Sequence, residues 1–314
     1  MTTVRRDRPV HCRRADNCVA LSAMQYRASG NSGLFMSPVG VSLKNHFGHD
    51  RPLNSMHKIL DTAVASGVTH FDLAPHYGPP YGGAEENFGR LLHGLRCRPE
   101  EIVVSARSGH GPQTRFLAGF GSRKVLMSSL HATLRRTGLD HVDIFYAHRY
   151  DPFTPVEETV TALDSLVRQG KALYVGLSGH TLATFRLVSE ALSDLGTPVT
   201  ACRMTYSILD RWPECGLFAL LKEQGVGCVV DDALDLEGEF RRRLKSVSGE
   251  RGQTSAQCAL SWTLRKQSVT SALTSPASSE ELEQYCAAAA QTYFTETHLS
   301  VIDSLLPGFE KPRQ

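Results

Sequence analysis

The residues able to do chemistry in this chain stand at or just past the ends of short apolar runs. Asp72 lies near the end of "THFDLA", and Tyr77 follows five positions later in "LAPHYG". Arg107 closes "EIVVSAR", and His148 sits in "YAHRYD". A carboxylate, a phenol, a guanidinium and an imidazole together suit general acid–base work on a carbonyl or hydroxyl group. A phenol titrates at roughly 10 in water, and a nearby cation lowers that by favouring the phenolate. The imidazole can orient the reacting oxygen or share its proton, and the carboxylate holds the cation in place. Singly, each has a plain structural alternative: Asp72 as a turn residue, Tyr77 as a rim aromatic, His148 as a satisfied buried polar group.

These groups need a scaffold that gathers strand ends, and the pattern of the chain supplies one. Short β-branched, apolar runs alternate with longer amphipathic ones, the signature of a parallel α/β architecture. Strands are expected at 39–43, 69–74, 101–107, 141–148, 172–179, 198–204, 226–232 and 268–275. Their continuous apolar character fits strands covered on both faces. A helical pattern follows each strand, and Gly67, Gly138, Gly170, Gly196 and Gly225 stand where helices stop. Eight strand–helix units make a (β/α)8 TIM barrel, with "ETHLSVIDSLLPG" as an extra C-terminal helix across one end. Such a barrel builds its site at the C-terminal ends of its strands and on the loops that follow, where all four residues fall. Residues 23–314 read as one barrel domain. Residues 1–22, with "VRRDRPVHCRRAD", read as a disordered basic arm, since the stretch lacks the apolar segment of a signal peptide.

Composition narrows the partners. A net charge of +2 gives no pull toward nucleic acid or membrane, and no 18-residue apolar run exists to span a bilayer. The eight cysteines form no C-x-x-C pair, which suggests free thiols and a cytoplasmic protein, and no metal site is called. The expected partner is a small-molecule substrate, with the oligomeric state left open.

The stretch "GVTHFDLAPHYGPPYGGAEENFGRLL" resembles the aldo/keto reductase signature, as does "GSRKVLMSSLHATLRRTGLDHVDIFYAHRYDPFTPVEETVTALDSLVRQGKALYVGLS". The branch it most resembles holds the L-glyceraldehyde 3-phosphate reductases and the potassium-channel β-subunits. The resemblance implies an NADPH-dependent carbonyl reductase with Tyr77 as proton donor, His148 orienting the carbonyl, and Asp72 with a cation tuning Tyr77. The family's lysine in that role is Arg107 here, which keeps the charge but changes the geometry. Its nicotinamide-binding glutamine is Arg203. Ser178, Ser275, Ser278 and Glu283 fall at the remaining cofactor positions, and Ser278 replaces the arginine that pairs with the adenosine 2′-phosphate. Lys44, His46 and His76 are the expected substrate-pocket residues, Lys44 standing where the branch has a tryptophan and reading equally as a solvated rim lysine.

The altered contacts bear on the cofactor. "DDALDLEGEFRRRLKSV" occupies the place of the family's pyrophosphate loop, and like charges about 4 Å apart repel by about 1 kcal/mol in water. Asp231 and Asp232 are therefore expected to oppose a dinucleotide, while Arg241, Arg242, Arg243 and Lys245 are either substitute cations or a wet helical face. The cofactor is thus NADPH or none. Three readings stand open: a reductase retaining NADPH by rearranged contacts, a cofactor-independent lyase, dehydratase or isomerase reusing the acid–base mouth, and a non-catalytic regulatory subunit.

Overall fold

Eight parallel strands close into a barrel, and the side-chain parity along them decides what lies inside it. The computed structural model describes residues 24–108, 119–231, 233–234, 236 and 238–306; the basic arm expected at 1–22 lies outside them. A short antiparallel hairpin, β1 (Arg27–Ala28) and β2 (Phe35–Met36), precedes the barrel. The barrel strands are β3 (Val39–Ser42), β4 (His70–Leu73), β5 (Val103–Arg107), β6 (Val142–His148), β7 (Ala172–Ser178), β8 (Val199–Thr205), β9 (Gly227–Asp231) and β10 (Val269–Thr274). They pair in chain order, with β10 closing on β3. All eight expected strands form. The expected start of the third moves from 101 to 103 because Pro99–Glu101 coils into a 3₁₀ turn, with the Arg98 amide donating to Glu101 Oε2 at 2.9 Å.

Helices cover the outside: α1 (Leu53–Ala65), α2 (Gly83–Leu92), α3 (Arg123–Thr137), α4 (Val156–Arg168), α5 (Leu182–Asp194), α6 (Leu217–Gln224), α7 (Gly238–Arg243), α8 (Lys245–Glu250), α9 (Ser255–Leu264) and α10 (Ser279–Ala289), with the extra C-terminal helix α11 (Glu296–Ser304). Their starts carry the side-chain oxygens that orphan amides need: Ser122, Thr181, Thr254, Ser278 and Thr295 each accept from the amide three residues on. The five glycines expected to stop helices all adopt positive φ. The "EFRRRLKSV" stretch is two short helices, and Arg241, Arg242, Arg243 and Lys245 are exposed.

The main core lies between barrel and helices, where side chains such as Phe71, Phe88, Phe145, Phe185 and Trp262 are wholly or almost wholly buried. Burying each such ring stabilises the fold by about 1.5–3 kcal/mol. A second apolar cluster fills the barrel itself and comprises Met36, Val103, Ile144, Tyr146, Ala201, Val229 and Leu273. Tyr146 fits there because it faces Gly176, where a Cβ would stand 2.3 Å from its ring.

The β1–β2 hairpin, which nothing in the helix–strand alternation announces, sits across the N-terminal end of the barrel. Arg27 donates to the carbonyls of Leu264 and Val269 at 2.8 and 2.6 Å, and Ser29 Oγ to that of Thr200 at 2.9 Å. Gly30, at φ 58°, lies so close to Gly225 that a Cβ would fall 1.9 Å from its carbonyl oxygen. The hairpin closes that end, and function is left to the other.

Candidate active site

Side chains two apart on a strand share a face, so the interior cluster fixes what points inward at the C-terminal mouth. Val103 leads to Ser105 and Arg107 on β5, Tyr146 to His148 on β6, Ala201 to Arg203 on β8, and Val229 to Asp231 on β9. On β4, His70 and Asp72 face the same interior: the His70 ring nitrogens lie 3.0 Å from Ser271 Oγ and Ser105 Oγ, and Ser105 Oγ donates to Asp72 Oδ1 at 2.9 Å. Burial drives the His70 imidazole down to about 4, so it is neutral there.

Tyr77 is the centre of the arrangement. Its backbone turns back on β4, the amide donating to the Ala74 carbonyl at 3.0 Å, and this brings the phenol over Asp72. The Tyr77 hydroxyl donates to Asp72 Oδ2 at 3.0 Å and accepts from Arg107 Nη2 at 2.6 Å and from Arg203 Nη2 at 2.9 Å. Its proton and both lone pairs are therefore engaged. Arg203 Nη1 donates to both Asp72 oxygens at 2.7 Å, and its Nη2 also pairs with Asp231.

Two expectations change here. Asp72 holds Arg203 and not Arg107, because β8 points Arg203 into the barrel floor while Arg107 reaches only the hydroxyl and His76 Nε2, the latter at 3.1 Å. The phenol is not acidified either. Burial, with the Asp72 carboxylate, pushes Tyr77 up to about 12 and outweighs the two guanidiniums.

Asp231 also has a different place from the one expected. Burial pushes its carboxyl up, but Arg203 beside it more than offsets this and leaves it below the ordinary carboxylate value. Its charge is thus directed at a guanidinium of the barrel interior, and it is not a bare charge facing a cofactor. Asp232, Asp235 and Glu237 lie outside the described residues, and Glu239 is exposed on α7.

His148 is half-buried, with Nδ1 2.9 Å from Ser178 Oγ and its backbone amide donating to Ser108 Oγ at 3.1 Å. Burial and the surrounding guanidiniums of Arg107, Arg149 and Arg203 hold its imidazole down to about 3. Neutral and bonded through Nδ1, it can present Nε2 to a ligand. A cavity of about 610 Å³ opens here, bordered by Arg107, His148, Arg149, His180, Arg203 and Trp212.

The other expected residues divide. Ser178 belongs to the site through His148. His76 joins at the rim, its ring edge-on to Tyr77 at 5.0 Å and its imidazole pushed down to about 4 by desolvation and by Arg107. Lys44 is exposed at the mouth, near enough for its charge to act on His76 and Asp231. His46 lies in a left-handed turn at φ 66°, with no hydrogen bond to this network among the described residues. Ser275 donates to the Ser42 carbonyl at 3.2 Å, Ser278 caps α10, and Glu283 is exposed on that helix, all three away from the cavity lining. Arg149, His180 and Trp212 are cavity residues that the sequence reading missed; His180 was within reach, lying two residues beyond Ser178 in the "LSGH" that ends the fifth barrel strand. Among the described residues no group of three or more His, Cys, Asp or Glu could hold a metal ion, and no helix is long and apolar enough to cross a membrane.

Comparison with known proteins agrees with the barrel fold. The model of the aldo/keto reductase family matches residues 45–307. The chain is 37% identical to an L-glyceraldehyde 3-phosphate reductase of Escherichia coli O157:H7, over 89% of this chain and 92% of that one. It is 27% identical to a probable voltage-gated potassium channel subunit beta of Arabidopsis thaliana, over 83% of this chain and 90% of that one. The crystal structure of a thermostable aldo-keto reductase bound to the inhibitor epalrestat superposes with a TM-score of 0.75 at 29% identity, covering 90% of this chain and all of the other.

Proposed function

This chain belongs to the aldo/keto reductase family, an oxidoreductase family, and from that premise we propose that Tyr77 is the proton donor of a small-carbonyl reductase whose counter-ion system has been rebuilt around Arg203. One observation carries the reading: a single phenol hydroxyl bonded at once to Asp72, Arg107 and Arg203, the last two of which line the cavity.

A carbonyl oxygen entering from the cavity competes with Asp72 for the Tyr77 proton, and His148 Nε2 is placed to orient that oxygen. Once the proton leaves, the phenolate is flanked by two guanidiniums already in contact with it, so charge develops where donors are pre-arranged. The raised resting value of Tyr77 keeps the proton in place until then. Asp72, fixed by Arg203 and Ser105, holds the hydroxyl in register.

The family resemblance implies NADPH, and the donor set of the cavity fits its nicotinamide end. Ser178 and Trp212 line the cavity and would hold the ring and its carboxamide there. When bound, the group supplies the hydride for the carbonyl carbon. The test is oxidation of reduced nicotinamide by purified protein against a panel of small aldehydes and ketones, repeated with Tyr77→Phe. Turnover lost in the variant is the expected result; equal turnover in both, or product formed without any nicotinamide, removes the reading.

A further inference from the structure

Asp72 and Asp231 both hydrogen-bond Arg203, their charges reaching Arg107 only without contact, and two guanidiniums on the same cavity are left without a bonded carboxylate among the described residues. Arg107 is 8% exposed, makes its hydrogen bonds through Nη2 alone, and meets only the neutral Tyr77 and His76 there. Its Nε is buried without a partner, and no carboxylate pairs with it among the described residues. Arg149 borders the same space from a left-handed backbone, φ 67°, held by its amide donating to the Ser178 carbonyl at 2.7 Å. It too makes no ion pair among the described residues. His180, 8% exposed, lines the cavity, and among the described residues neither ring nitrogen meets a partner at hydrogen-bond geometry, with only the Thr184 backbone close enough to act on it.

A charge taken out of water is ordinarily paired, because desolvation otherwise costs several kcal/mol. Arg107 has no carboxylate in hydrogen-bonding contact among the described residues, feeling Asp72 and Asp231 only at longer range, and faces a space large enough for a ligand. We propose that the ligand supplies it: the cavity takes 2-oxo carboxylates, with the carboxylate on Arg107 and with Arg149 and His180 bordering the rest of the molecule. The position follows from Arg107 Nη2, 2.6 Å from the Tyr77 hydroxyl. A carbonyl oxygen on Tyr77 leaves an oxyanion on the rest of the guanidinium only one carbon away. Arg203 is unsuited to the task, since both its terminal nitrogens are held by Asp72, Tyr77 and Asp231.

This substrate class rests on the reductase reading above. In the reaction the carbonyl carbon gains a hydride from reduced nicotinamide and the oxygen gains the Tyr77 proton, giving a 2-hydroxy acid and oxidised nicotinamide.

Two measurements on the full chain test it. The first compares kcat/KM for 2-oxobutanoate and its neutral amide, where a preference of at least 30-fold for the acid is expected. The second is calorimetric binding of oxamate, a carboxylate mimic that is not reduced, to wild type, Arg107→Met and Arg107→Lys without cofactor. Binding at least tenfold weaker in Arg107→Met, recovered in part by Arg107→Lys, supports the assignment, with thermal melts confirming that both variants fold. Equal use of acid and amide overturns it, as does oxamate binding indifferent to Arg107→Met or inorganic phosphate binding more tightly than oxamate. If neutral carbonyls are reduced through Tyr77 but oxamate does not bind, the carboxylate site falls and the reductase stands. If oxamate binds through Arg107 but no carbonyl is reduced, the reductase falls and the anion site stands.

Discussion

Replacing Arg203 with glutamine tests the central claim that this side chain is the buried counter-ion of the barrel floor. Glutamine keeps part of the length and removes the charge. Asp72 is fully buried and the Asp231 side chain is 15% exposed, so the change strands two carboxylates at once. Removing one partner of a buried pair costs about 3–5 kcal/mol, and with two acids released the upper half of that range is expected, against a total stability of about 5–15 kcal/mol for a folded protein. In a chain of 314 residues, whose unfolding entropy is roughly 0.66 kcal/mol/K, that lowers Tm by about 6–8 °C. Urea unfolding followed by circular dichroism at pH 7 gives the free energy directly. The pH dependence adds a signature. Asp231 has a depressed folded value, so its contribution is present above the unfolded carboxylate value of roughly 4 and is lost as pH falls through the folded one. The gap between wild type and Arg203→Gln should therefore be widest near neutrality and shrink toward pH 3. Adding Asp231→Asn to Arg203→Gln should restore part of the loss, by about 0.5–3 kcal/mol of coupling. A single variant within about 1 kcal/mol of wild type at pH 7 would refute the reasoning.

Tyr77→Phe should lower kcat/KM for carbonyl reduction by roughly 10²–10⁴-fold while leaving the far-ultraviolet dichroism unchanged; a loss under fivefold would mean that another group delivers the proton. Because burial holds Tyr77 up to about 12 and His148 down to about 3, kcat/KM should stay flat from pH 5 to pH 9, and an alkaline limb with an apparent value of 7–8 contradicts this environment for the phenol. Burial also depresses His70 and His180 to about 4, so the unfolded chain gains protons that the fold refuses. Unfolding free energy should drop between pH 6.5 and pH 4 by up to about 1.4 kcal/mol per pH unit for each, and a stability that is constant over that window tells against two buried neutral imidazoles. The first turn of α10 carries Glu280 and Glu281, with Glu281 Oε2 accepting from the Ala277 amide at 2.7 Å, where the family resemblance puts the adenosine 2′-phosphate. Like charges there oppose it by about 1 kcal/mol or more, so NADPH should bind no tighter than NADH in a fluorescence titration; a tenfold preference for NADPH would count against that placement.

The architecture was legible because it depends on repetition. Eight apolar runs, eight amphipathic ones and glycines at the right offsets leave little choice but a barrel, and local errors such as the start of β5 at Pro99–Glu101 move one boundary without moving the fold. The candidate site was legible as a set of strand ends, since Asp72, Arg107 and His148 each fall two residues past another inward-facing side chain. The hairpin β1–β2 was not legible, because two-residue strands carry no periodicity and their contacts are with backbone carbonyls of distant strands.

What misled the reading was charge considered along the chain without its parity. "DDALDLEGEF" reads as a wall of acids when its members are counted together, yet alternation along β9 settles the direction of Asp231 by itself. Val229 is in the interior cluster, so Asp231 must point the same way, and β8 places Arg203 inward by the same rule from Ala201. Two opposite charges aimed into one apolar barrel from adjacent strands must then meet, since neither could be buried alone. Once they do, Asp72 becomes the second acid of the same guanidinium, and Arg107 is released from the role of counter-ion that the resemblance assigns to its position. One substitution on β8 thus changes the task of a residue three barrel strands away, and the freed guanidinium stands where a ligand can reach it.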